Sequence, residues 1–397
     1  MKVLQVHNLY QYKGGEEVVC EQESRLLQTN GHQVKRFHIS PVSYPSFKSK
    51  LTFILGFFYN FRIKKDILKL LQEFKPDIVH VHKIFPSISP SVFDACKEAG
   101  VPCIMTLHNF RFLIPDGVFK PGEAAKYSSG KSLLGYILSK RYRNSYLYSL
   151  GATLWVVYNR VRRSWNSVDG FILPSIWMKE IYMKFGIVNE KLFIKPHFTE
   201  SLYTDSSELE IRNKFGFVYV GRLSEEKGII ALVKEWKEKY DNIPLTIIGT
   251  GPAEERVRKM TADAKNIKME GFLSQIEIQK VLPLYKALIC PSQTNESFGM
   301  VVIESFAAGT PVIGSDLHAL SEIITDGHDG FLFNHLNIGE VGKFIKKLET
   351  NDELLALMCQ NSYDTFIKNY SPRVNYYRYI EIIRHVMENY KSEEESI

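Results

Sequence analysis

Along the chain, apolar runs of four to eight residues alternate with longer amphipathic segments. KVLQVH (2–7), DIVHVH (77–82) and VPCIMTLH (101–108) have the near-continuous apolar character of strands buried on both faces of a parallel sheet. Helical spacing of apolar positions falls between them, near 16–30, 60–74 and 90–99. Glycines in GHQV (31–34) and EAGVP (98–102) stop such helices just ahead of the next strand. The alternation restarts near residue 215. FVYVGRL (217–223) precedes a helical pattern over 228–240, and LTIIGTG (245–251) precedes one over 252–264. IKMEGFL, ALICPS, a helix from near 298 and TPVIGSD complete the series. Two successive βαβα series predict two doubly wound α/β domains rather than one large sheet. The polar segment IKPHFTESLYTDSSELE (194–210) is the expected connection between them. After Ser371-Pro372, residues Tyr376, Tyr377, Ile380, Ile383, Val386 and Met387 fall at helical spacing and predict a final helix.

Composition narrows the class. A chain of 397 residues, 45% hydrophobic and 24% charged, is that of an ordered globular protein with room for two cores. The five cysteines are scattered and form no CxxC pair, so neither a disulfide framework nor a structural zinc site is expected, and a reducing cytoplasm is. MKVLQVHNLY lacks the pattern of a secretory signal. The apolar stretches 51–61 and 149–158 fall short of the ~20 residues a spanning helix requires.

Charge is uneven. Residues 1–195 hold 28 Lys and Arg against 14 Asp and Glu, a net +14, and the rest of the chain carries −8. Seven bases and no acid lie within 131–165, interleaved with aromatics. Two readings fit: a solvated helix pair whose long bases lie over an apolar seam, or an element that rests on an anionic membrane surface. Lys48, Lys50, Arg62, Lys64 and Lys65 around the apolar 51–61 stretch repeat the theme and favour the membrane. A nucleic-acid groove has no accompanying fold signature, so nucleic acid is not an expected partner.

Three segments carry candidate chemistry. In YQYKGGEEVV (10–19), Gly14 and Gly15 follow the first strand and open a helix, which permits close approach of backbone amides to a ligand. GRLSEEKG (221–228) follows a strand and presents Arg222 and Lys227 across a tight connection, a forked donor and a compact cation suited to one anion. PSQTNESFGMVVIESFAAGTPVIGSD (291–316) brackets a helix start with Glu296 and Glu304. Ser297 is the expected cap of that helix, and the amides of Phe298, Gly299, Met300 and Val301 its expected anion or hydroxyl site. Eight residues at 3.6 per turn would return Glu304 to the face of Glu296. Carboxylates suit neutral hydroxyls, whereas cations and amides suit phosphate. A nucleotide sugar offers all of these groups.

GRLSEEKG together with ESFGMVVIE and GTPVIGSD resembles the donor domain of the retaining glycosyltransferases of family 4. The GG turn, NGHQV, PDIVHVH, TLHNFR, LTIIGTGP and ITDGHDGFLF fall in the family's order, so the resemblance spans most of the chain. It implies the GT-B fold, two Rossmann-like doubly wound domains facing a cleft. Residues 1–196 would form the acceptor-side domain, 197–372 the donor-binding domain, and 373–397 a helix returning to the first. It also implies roles. Arg222 and Lys227 would hold the donor diphosphate, Glu304 the ribose hydroxyls, and Glu296 the transferred sugar. Amides from Ser297 to Val301, with Gly249, would contact the donor, and Gly14 and Gly15 would face its diphosphate. His108 would lie near the anomeric centre, making His108, Arg222, Lys227 and Glu296 the catalytic candidates.

The implied activity is transfer of a sugar from a UDP or GDP sugar to a saccharide, itself lipid-linked, in surface-polysaccharide synthesis at the inner face of the membrane. No D-x-D triplet occurs, so no metal or other cofactor is expected. Relatives with the TLHNxRxLxP pattern often carry cysteines shortly after it. PDGVFKPGEAAKYSSGK here has none, so the acceptor is not inferred from them. An epimerase or phosphorylase on a similar fold, and a non-catalytic nucleotide-sugar-binding subunit, are the competing readings.

Overall fold

The computed structural model describes residues 1–9, 14–40, 56–120, 123, 132–203, 205 and 214–395. Lys48, Lys50, Lys131, residues 51–55 of the first apolar stretch and 206–210 of the expected connection lie outside the described residues. The chain divides into two compact units, Met1–Lys195 with Tyr376–Ile397, and Pro196–Asn375.

The first unit is built on a six-stranded parallel sheet. Its strands are β1 (Lys2–Asn8), β2 (Gln33–Ile39), β3 (Ile78–Lys83), β4 (Cys103–Thr106), β5 (Gly170–Leu173) and β6 (Leu192–Ile194), in the order β2-β1-β3-β4-β5-β6. Strand order reverses between β1 and β3, the switch point at which loops diverge and ligands bind in such sheets. Helices on both faces bury β1 and β3 almost completely, which is why they read as apolar runs. The exceptions are informative: Gln5, His7, His80, His82 and Lys83 are buried in the same strands. The last helix, Pro372–Glu395, supplies Tyr379, Ile382, Ile383 and Val386 to a core with Val3, Ile78, Ile104 and Ile172 of this sheet.

The second unit has strands β7 (Phe217–Val220), β8 (Leu245–Ile248), β9 (Ile267–Gly271), β10 (Ala287–Cys290), β11 (Val312–Ser315) and β12 (Gly330–Phe333), in the order β12-β11-β10-β7-β8-β9. This is the dinucleotide-binding order, with its switch point between β7 and β10. Alternate residues of β7 enter different cores. Phe217 and Tyr219 pack with Trp236 and Ile247, while Val218 and Val220 pack with Ile248, Leu288 and Phe306. Both units are therefore doubly wound α/β sheets of Rossmann-like topology. GFIL (170–173) and GFLF (330–333) are β5 and β12, strands that the hydrophobic pattern did not mark because four apolar residues carry no period.

Candidate active site

In the second unit, the loops after β7, β8 and β10 meet at the switch point. They interlock through backbone. Gly249 has φ +132°, and a Cβ there would lie 2.0 Å from the Gly221 carbonyl oxygen. Gly228 has φ +74°, and a Cβ there would lie 1.8 Å from the Pro291 carbonyl oxygen. Only glycine allows this approach, and it brings GRLSEEKG against the segment that carries Glu296. Lys227 Nζ lies 2.8 Å from Glu296 Oε1. The Ser292 hydroxyl donates to the same oxygen. Burial opposes the charge of Lys227 and Glu296 outweighs it, so its pKa is raised above the ordinary lysine value. Arg222, on the same loop, is exposed.

The helix after β10 departs from expectation. It runs Met300–Ala307, and its N-cap is Gly299 at φ +142°, not Ser297. The chain turns at Gly299, where a Cβ would sit 2.8 Å from Leu320 Cδ2. Phe298 is driven into the core against His197 and Tyr370 instead of opening the helix. The first amides of this helix are thus those of Met300 and Val301, while that of Val302 donates to the Gly299 carbonyl at 3.0 Å. Glu296 precedes the helix, so the eight-residue helical spacing does not relate it to Glu304. Loop geometry does. Glu304 accepts from Gln275 Nε2 at 3.1 Å, and Gln275 Nε2 lies 3.0 Å from the Thr199 hydroxyl. Burial pushes the Glu304 carboxyl up to about 7, against the hydrogen bond from Gln275.

The first unit presents its own set at the ends of β1, β3 and β4. The helix Gly15–Thr29 begins with the Gly14 amide donating to the Glu17 carboxylate at 2.9 Å. Above Gly15 the space is open: a Cβ there would meet nothing within 4 Å. Glu16 accepts from Asn109 Nδ2 at 2.5 Å and lies 3.7 Å from Lys83 Nζ. Burial, against Glu16, lowers the Lys83 pKa to about 7. His108 Nε2 lies 3.1 Å from His82 Nδ1. Burial lowers the His108 pKa to about 4, with Glu16 and Glu23 opposing. A cavity beside it is lined by His82, Lys83, His108, Asn109, Arg111 and Trp155.

Glu23, His80 and His82 are the one group among the described residues whose ligating atoms approach as a metal cluster would, within 4.8 Å. Their bonds argue against a cation. Lys195 Nζ is hydrogen-bonded to Glu23, and the two nitrogens of His80 are engaged by the Tyr379 hydroxyl at 3.0 Å and the Thr106 hydroxyl at 2.8 Å. The group already holds its own positive charge in Lys195.

The basic segment forms helices Ser132–Leu138 and Tyr146–Arg162. Arg141 pairs with Asp116 and Glu123, Arg162 with Asp94, and Arg160 donates to the Leu113 carbonyl. These bases are committed within the unit. The second helix nevertheless exposes Leu147, Leu150, Leu154, Val157 and Val161, a stripe at alternating spacings of three and four. Among the described residues, no helix is long and apolar enough to cross a membrane.

Comparison with known proteins agrees with both halves of this geometry. The model of Glycosyltransferase Family 4 matches residues 13–199, and that of Glycosyl transferases group 1 matches 204–365. The chain belongs to glycosyltransferase family 4, and its two sheets are those of the GT-B fold. It is a glycosyltransferase. The chain is 26% identical over 306 residues to the alpha-monoglucosyldiacylglycerol synthase of Acholeplasma laidlawii, across 75% of this chain and 73% of that one. It is 24% identical over 321 residues to the UDP-Gal:alpha-D-GlcNAc-diphosphoundecaprenol alpha-1,3-galactosyltransferase of Escherichia coli, across 77% and 74%. The Anabaena HepE protein, solved in complex with UDP, shares the fold at a TM-score of 0.63 and 15% identity, across 99% of this chain and 100% of that one.

Several residues of the site had no role in the sequence reading. The histidines of HVH (80–82) were a visible signal, two imidazoles in an otherwise apolar strand. Gln275, Glu23 and Lys195 had none, because each approaches its partner from a distant segment.

Proposed function

We propose that the chain transfers a sugar, with retention of anomeric configuration and without a metal ion, from a UDP or GDP sugar to a lipid-linked saccharide in surface-polysaccharide synthesis. The observation that carries this reading is the pairing of Lys227 with Glu296 across the loops after β7 and β10, with Arg222 on the first loop and Glu304 on the helix after the second. Arg222 and Lys227 meet the diphosphate and stabilise the charge that develops on it, with the amides of Met300 and Val301 adding donors that need no rearrangement. Glu304 accepts the ribose hydroxyls and Glu296 those of the sugar. The bond from the anomeric carbon to the phosphate oxygen breaks with its electron pair on that oxygen. The acceptor oxygen attacks the same face, and its proton passes to the leaving phosphate. By family resemblance, His108 is assigned to act near the anomeric carbon.

The curated relatives named for diacylglycerol and diphosphoundecaprenol products support a lipid-borne acceptor. The exposed stripe on Tyr146–Arg162, flanked by Lys140 and Arg143, supports a peripheral seat on an anionic membrane at the cytoplasmic face. The test is a panel of UDP and GDP sugars with lipid-linked and soluble saccharides, with the new linkage read by NMR and the assay repeated in EDTA. A product of the same anomeric configuration, formed equally in EDTA, is the expected result. An inverted product, or loss of turnover restored by magnesium, refutes the mechanism.

A further inference from the structure

The loop after β9 opens the helix Gln275–Val281 with a capping box, which fixes where the first side chain of that helix starts. The Ser274 amide donates to Glu277 Oε2 at 2.7 Å, and Ser274 Oγ accepts from the Glu277 amide at 3.4 Å. Gln275 follows this cap. Its Nε2 lies 3.1 Å from Glu304 Oε1 and 3.0 Å from Thr199 Oγ1. An amide nitrogen carries two hydrogens and accepts nothing, so it can donate to both oxygens at once. The Thr199 side decides which end of the amide faces Glu304. Thr199 Oγ1 lies 3.4 Å from the Glu200 carbonyl oxygen, which only accepts, and 3.5 Å from Gln279 Nε2, which only donates. The hydroxyl therefore turns its hydrogen to Glu200 and its lone pairs to the two glutamines. That arrangement puts the nitrogen of the Gln275 amide, not its oxygen, against Glu304. Glu304 itself is half-buried, and its Oε2 makes no hydrogen bond among the described residues. All of these groups belong to the second unit.

We propose that Gln275 is a positioning residue for Glu304: its Nε2 anchors Oε1, leaves Oε2 to a nucleotide's ribose hydroxyls, and favours the ionised carboxylate that can accept from two of them. The inference rests on the ribose role proposed for Glu304. A hydrogen bond aimed at a carboxylate stabilises its charged form, whereas burial disfavours it. Here burial prevails and brings the carboxyl to about 7, with Gln275 opposing. Without that bond the group would stay protonated through neutral pH and present a hydrogen where ribose needs an acceptor. Titratable neighbours on the elements packed around this helix have other partners. Glu277 is bonded to Ser274, His197 packs edge-on against Phe298 with centroids 5.1 Å apart, and the Tyr363 hydroxyl donates to the Tyr203 carbonyl at 2.9 Å.

The test is calorimetry on the full chain with UDP, GDP and their 2′-deoxy counterparts, in the wild type, Glu304→Gln, Gln275→Leu and the double variant Glu304→Gln/Gln275→Leu. The wild type is expected to bind the ribose form of its nucleotide about tenfold or more tightly than the deoxy form. Glu304→Gln should lose that preference. Gln275→Leu should lose most of it at pH 7, regain part of it by pH 9 as Glu304 ionises, and keep its affinity for the deoxy form within about threefold. In the Glu304→Gln background, Gln275→Leu should cost nothing further. A full ribose preference in Gln275→Leu at pH 7 overturns the proposal. So does a loss that adds in the double variant, which would show that Gln275 meets the nucleotide itself. An undiminished preference in Glu304→Gln, or no affinity for either nucleotide, instead removes the ribose reading. The Gln275 bond is then decided without ligand, by NMR titration of carbon-13-labelled glutamate, the Glu304 signal being assigned by its loss in Glu304→Gln. Its midpoint is expected to rise in Gln275→Leu, and an unchanged midpoint overturns the anchoring.

Discussion

Lys227 and Glu296 are bonded to each other, Nζ to carboxylate at 2.8 Å, although one is assigned to the donor's diphosphate and the other to its sugar. The pairing holds the cation charged and in place, where an entering phosphate oxygen would share it with Glu296. Lys227→Ala and Arg222→Ala are each expected to lower turnover by about 10²-fold or more, as with other lost transition-state donors. Near-normal steady-state rates in either variant would remove that residue from the diphosphate site.

In its proposed ribose role, Glu304 would make donor binding pH-dependent. Burial pushes its carboxyl up to about 7, and the ionised form is the one that would accept two ribose hydroxyls. Donor affinity, measured by calorimetry between pH 5 and 8.5, should weaken as pH falls through 7 and lose that dependence in Glu304→Gln. The same shift bears on stability. A carboxyl whose folded pKa lies above its unfolded value contributes stability fully below the unfolded pKa and loses it as pH rises through the folded one. Glu304→Gln should therefore match the wild type near pH 4 and exceed it above pH 8, by on the order of 1–3 kcal/mol. A difference in denaturation midpoint that does not change with pH would contradict this.

Lys195 and Glu23 form an ion pair buried on both sides, at 1% and 2% exposure. Removing one member leaves the other charged in the core. Lys195→Met alone should cost about 3–5 kcal/mol in urea unfolding, and the double variant Glu23→Gln/Lys195→Met should recover most of it. Additive losses in the double-mutant cycle would show that the pair is not coupled.

Gly249 tests the interlocked loops. A methyl group there would enter the Gly221 carbonyl at a φ that L-residues rarely adopt. Gly249→Ala is expected to destabilise the second unit by on the order of 3 kcal/mol or more. An unchanged melting temperature would mean that the two loops do not meet as described.

The stripe Leu147, Leu154 and Val161 can be made polar without opening a core, since all three are exposed. Their joint replacement by Gln should abolish sedimentation with phosphatidylglycerol vesicles while leaving turnover on a soluble saccharide intact. High salt should weaken the wild type's binding but leave an apolar remainder. Equal sedimentation of the variant would place the membrane contact elsewhere.

Most strands and helices of both units followed from local pattern, β5 and β12 excepted, because strands buried on both faces must be apolar and the helices between them must alternate. GRLSEEKG and NESFGMVVIE were legible for the same kind of reason: their chemistry is carried by residues close in sequence, at turns where ligands bind. Tertiary structure decided the rest. It replaced Ser297 by Gly299 as the helix cap, since the burial of Phe298 sets where the chain turns. It brought Gln275 to Glu304 and Lys227 to Glu296 across loops whose spacing carries no signal. It also showed that the HVH histidines are held from distant segments, His80 by Thr106 and Tyr379 and His82 by His108 and Gln5. A sequence states which residues can be buried; only packing states which buried polar groups satisfy one another.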